Sequence, residues 1–75
     1  MDKREKLAEI ASQILNIEIK AVDFNTKRES IESWDSFAHL AILSTVEEEM
    51  DVSIPFEEVA EINTLKKLLE LIDEE

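Results

Sequence analysis

Seventy-five residues without a cysteine or a glycine, carrying nineteen acidic side chains against eight basic ones, describe one small acidic domain. A domain of this size buries only about 60% of the surface its unfolded chain exposes, so it holds a small core and no deep catalytic cavity. The missing cysteines exclude a disulfide framework and thiolate metal sites, the missing glycines argue against phosphate-cradling loops, and the formal charge of −11 disfavours nucleic acid and favours basic protein surfaces as partners.

The opening "MDKREKLAEIASQIL" is charged and then amphipathic, unlike the continuous apolar block of a signal peptide, and no apolar run reaches the roughly 18 residues of a membrane span. The expectation is a cytoplasmic monomer with a single domain over residues 1–75. Leu7, Ile10, Ala11, Ile14 and Leu15 follow the spacing of one helix face and predict a first helix over residues 2–15. From Asn16 to Asp35 the pattern dissolves into a long loop, in which Ile17, Ile19, Val22, Phe24, Ile31 and Trp34 are placed to pin the segment to the core. A short turn is expected there, near Val22 to Asn25.

The second helix is predicted over residues 36–50, with Ile42, Leu43, Val46 and Met50 on its core arc. A second row, Phe37, Leu40, Ala41, Ser44, Glu47 and Glu48, runs along the same helix, apolar at its start and acidic farther on. Two apolar faces mean either packing on both sides or a core face plus a docking face, and Glu47 and Glu48 argue against complete burial. The bland alternative for Glu47-Glu48-Glu49 is a solvated charged face. A short third helix should follow Ile54-Pro55, with proline at its first position and Glu57 and Glu58 near the positive end of its dipole. The last helix is predicted over residues 64–73, capped by Asn63 or Thr64 and burying Leu65, Leu68, Leu69 and Ile72. Short connections make the fold class all-α, a small four-helix bundle with a long first loop and a short third helix.

Charge is unevenly spread along this bundle: residues 1–34 carry a net −1 and residues 35–75 a net −10, so the field begins at Asp35-Ser36. Both residues are preferred helix N-caps, which is a sufficient structural reason for the pair. A serine at a helix N-terminus is also accessible and faces the positive end of the dipole, a favourable place for a phosphodiester. Asp35, Ser36 and His39 include the residue types of a hydrolytic triad, but three residues within one turn of a glycine-free chain do not build an oxyanion hole in a water-excluding pocket. His39 reads as a packed or half-exposed polar residue. Glu47 to Asp51 lacks the alternating acids and central glycine of a calcium loop, so no metal site is expected.

"WDSF" at Trp34 to Phe37, followed by "HLAILSTVEEEMDVSIP" from His39 to Pro55 and closed by "INTLKKLLELI", resembles the acyl carrier proteins and the related peptidyl carrier domains. The likeness spans the chain. It implies a bundle of acyl-carrier type in which Ser36, beside its motif neighbour Asp35, accepts 4′-phosphopantetheine from coenzyme A through a separate phosphopantetheinyl transferase. The thiol of that arm would carry an acyl or aminoacyl thioester, loaded by an activating ligase and passed to a downstream synthase or transferase. The carrier itself would catalyse nothing. Phe37 stands where the family's motif has leucine, and Ser33-Trp34 replaces the glycine-containing approach of primary fatty acid carriers. The form is more similar to carriers of specialised pathways, such as nonribosomal peptide, polyketide or surface-polysaccharide biosynthesis, with fatty acid biosynthesis left as an open alternative. The alternative is an acidic helical adaptor that stays unmodified and holds a basic partner through the same stripe.

Overall fold

The computed structural model describes residues 2–73, which form four α-helices: α1 (Lys3–Leu15), α2 (Ser36–Met50), α3 (Phe56–Val59) and α4 (Leu65–Asp73). Among the described residues there is no strand, as the periodicity requires.

Local chemistry sets each boundary. Asp2 is extended and its carboxylate accepts from the Arg4 N–H at 3.1 Å, occupying one of the orphan donors of the first turn of α1. Thr64 does the same for α4, its hydroxyl accepting from the Lys67 N–H at 3.1 Å, which decides between Asn63 and Thr64 as cap. Both long helices end in the left-handed region, at Asn16 (φ 59°) and Asp51 (φ 53°). Glycine usually fills that position; here the task falls to the side chains that tolerate it next best. Pro55 (φ −59°, ψ 138°) caps α3 from outside, rather than occupying its first turn as expected, because its ψ is still extended.

α1 packs against both α2 and α4. Leu7, Ile10 and Leu15 meet Ile42, Leu43 and Val46 of α2 and Leu65, Leu68 and Ile72 of α4 in one core. Full burial of such a side chain contributes about 1.5–3 kcal/mol, so a handful of them carries most of the fold. Met50, Ile14 and Leu69 are half-buried at its margin. Lys6 Nζ reaches Glu49 at 2.8 Å from α1 to α2, and Lys3 Nζ donates to the Ile72 carbonyl at 3.2 Å, a cation at the negative end of α4.

The long loop is shaped by its few apolar residues. Phe24 and Trp34 are buried and Ile17, Val22 and Ile31 half-buried, whereas Ile19 is exposed and does not pin the segment as expected. The expected turn lies one residue later, at Asp23 to Thr26, where the Asp23 side chain accepts from the Asn25 N–H and its carbonyl from the Thr26 N–H. Two 3₁₀ turns, Ile19–Ala21 and Arg28–Ser30, also form. Period-3.6 patterning does not reveal turns of three residues. Backbone bonds from Arg28 to Asn63 (2.7 Å) and from Lys66 to Phe24 (3.0 Å) tie the loop to the start of α4.

Candidate functional site

The candidate site is the first turn of α2. Asp35 is extended (φ −89°, ψ −172°), and its carboxylate accepts from the Ala38 N–H at 2.9 Å. That bond settles the cap: Asp35 performs it, and Ser36 is the first helical residue. Ser36 is exposed, and among the described residues its hydroxyl has no hydrogen-bond partner. An exposed hydroxyl at the positive end of a fifteen-residue helix is suited to carry a phosphodiester, because free N–H groups and the dipole both favour negative charge there.

The second row of α2 is outside the core. Phe37 is 87% exposed and Leu40 58%, with Ala41, Ser44 and Glu48 exposed beside them. The bundle therefore does not pack both sides of this helix. Glu47 is half-buried and differs from its neighbour, since its Oε2 accepts from the Ile54 N–H at 2.8 Å. Sequence reasoning missed one residue of this kind: Phe56, at the start of α3, is 89% exposed. The signal was present, an aromatic residue between Pro55 and two glutamates.

His39 is 4% exposed, deeper than half-burial. Its Nδ1 lies 3.0 Å from Trp34 Nε1 and its Nε2 2.8 Å from the Val59 carbonyl. Both ring nitrogens are thus engaged away from Ser36, and Asp35 is occupied with Ala38, so Asp35, Ser36 and His39 do not form a proton relay. The open cavity nearest this turn in sequence, about 450 Å³, is lined by Arg28, Glu29, Ile31, Glu32, Trp34 and Asn63 and includes none of the three. Among the described residues no helix is long and apolar enough to cross a membrane.

Comparison with known proteins shows the family of the chain. The phosphopantetheine attachment site family matches residues 5–72. An acyl carrier protein of Buchnera aphidicola subsp. Schizaphis graminum (strain Sg) is 30% identical over 69 residues, covering 92% of this chain and 87% of the relative. Proteins of this kind bear a covalent 4′-phosphopantetheine arm, work through modifying and synthase enzymes, and are not themselves enzymes. With a match extending from the first turn of α1 to the end of α4 around an exposed serine, the chain belongs to the phosphopantetheine-attachment family of acyl and peptidyl carrier proteins.

Proposed function

We propose that Ser36 is the residue that receives 4′-phosphopantetheine from coenzyme A, and that Phe37, Leu40, Ala41, Ser44, Glu47 and Glu48 form the face through which partner enzymes engage the carrier. The observation that carries this reading is the division of labour at Asp35-Ser36: the aspartate caps the helix, which leaves the serine hydroxyl exposed at the dipole's positive end. When bound, the arm supplies a terminal thiol on which an acyl or aminoacyl group is held as a thioester.

The chain's own residues do the rest. Backbone N–H groups of the first turn of α2 favour the phosphate. Phe37 offers an aromatic surface beside it, and Glu48 adds charge that draws a basic enzyme surface, a contribution felt mainly in association rate. Phe37 and the Ser33-Trp34 approach favour a specialised biosynthetic pathway in the cytoplasm, with residues 1–75 acting as one monomeric carrier domain. The partners are a phosphopantetheinyl transferase, an acyl- or aminoacyl-activating ligase and a downstream synthase or transferase.

Intact-mass measurement after incubation with coenzyme A, Mg²⁺ and a broad-specificity transferase tests the assignment. One arm should add to the parent and none to Ser36→Ala, while Ser30, Ser33, Ser44 and Ser53 remain unmodified. Uptake by Ser36→Ala would move the site; no uptake by the folded parent with several transferases would favour the unmodified adaptor.

A further inference from the structure

His39 is the chain's only histidine, Trp34 its only tryptophan, and the two are bonded to each other in the core. An indole N–H only donates, so His39 Nδ1 must accept, and the neutral ring then carries its proton on Nε2. The other contact makes the same demand independently, because the Val59 carbonyl only accepts and requires a donor at Nε2. Both ends therefore select one tautomer of one ring.

What the ring joins matters more than its burial. Trp34 immediately precedes the capping Asp35, and its own carbonyl accepts from Arg28 Nε at 3.3 Å. Val59 is the last residue of α3, a helix of four residues whose cap position makes no side-chain hydrogen bond. So short a helix has little stability of its own and is placed by whatever holds it. His39 sits one turn into α2, its N–H bonded to the Asp35 carbonyl at 2.8 Å. Three elements thus meet at one imidazole: the approach to Ser36, the helix that begins with Ser36, and α3.

We propose that His39 is a positioning residue for loading at Ser36: its Nε2-protonated ring, bonded to Trp34 and to the Val59 carbonyl, fixes the attachment turn relative to α3. This rests on the assignment of Ser36 as the attachment serine. Both ring nitrogens are engaged away from Ser36, so the ring acts through its partners and not on the hydroxyl. It holds the backbone from which the hydroxyl is presented, and α3 with it.

The test has a spectroscopic and a kinetic arm. In ¹⁵N-labelled protein near neutral pH, the ring nitrogens of His39 should report Nε2 protonated and Nδ1 bare; the opposite tautomer overturns the proposal. Trp34→Phe and His39→Gln are then loaded from coenzyme A with Mg²⁺ and a broad-specificity transferase, well below their melting temperatures and with helical circular dichroism confirmed. Each should lower kcat about 3- to 10-fold, the scale of one lost hydrogen bond, with KM for the carrier held because Phe37 and Leu40 are untouched. The double variant should lose about as much as either single one, since both break the same chain.

Variants less stable but loaded at the parent's kcat, or losses confined to KM, reduce His39 to an ordinary core residue. A parent that loads alongside equally loaded variants overturns the positioning role alone. A folded parent that no transferase loads overturns the Ser36 assignment and the positioning role together.

Discussion

Glu47 Oε2 accepts a hydrogen bond from the Ile54 N–H at 2.8 Å, reaching seven residues along the chain to close the connection between α2 and α3. Glu48, its neighbour, is exposed and free of such a duty. The two acids of one stripe therefore have different work to do, and substitutions should separate them. Glu47→Lys should lower stability by about 1.5 kcal/mol, the lower end for a hydrogen bond to a charged group, because this one is only half-buried. Glu48→Lys should leave the unfolding free energy within about 0.5 kcal/mol of the parent, yet slow capture by a basic transferase and flatten its salt dependence. Thermal melts alongside loading rates at two salt concentrations give both readings. Equal loss of stability in the two variants would contradict the assignment.

Val46 is wholly buried between α2 and the rest of the core. Val46→Ala removes methyl groups that nothing else can replace in so small a core and should cost about 1–3 kcal/mol of unfolding free energy, measured by urea denaturation. Loading at Ser36 of the fraction that remains folded should be unchanged.

Asp51 closes α2 with φ 53° and ψ 48°. A β-branched residue tolerates this region poorly, so Asp51→Val should destabilise by about 1–2 kcal/mol, whereas Asp51→Gly should be neutral or mildly stabilising. A glycine that destabilises as much as valine would mean that the Asp51 side chain, and not its backbone angle, matters at this helix end.

The half-exposed Lys6 amine is raised above the usual lysine value of 10.5, first by its hydrogen bond to Glu49 and then by the charge of that carboxylate. A folded-state value above the unfolded one contributes stability that is fully present below pH 10.5 and is lost as pH rises through the folded value. The melting temperature of the parent should therefore fall in the alkaline range more than that of Lys6→Met. The pair is exposed enough for salt to shrink this difference, and a difference that persists at 1 M NaCl would point to another cause.

How much was legible in the sequence follows from the range of each interaction. Helix positions, the capping duties of Asp35 or Ser36, and the core face of α2 depend on neighbours within four residues, and the 3.6-residue period exposes them. The serine at the mouth of an acidic helix was readable for the same reason. Whether the second stripe was a buried face or an open one was not, since that depends on what the loop and α3 leave uncovered; only the fold shows Phe37, Leu40 and Phe56 in solvent. Glu47 and Glu48 look alike as letters and part company because the connection after Asp51 brings the Ile54 N–H back to one of them. The role of His39 was decided last of all, by two partners five and twenty residues away that lie on different elements. Local propensity determined which helices form and where Ser36 stands at the start of α2, and long-range packing alone determined which polar groups are buried, because a buried donor or acceptor must find its partner wherever the chain returns.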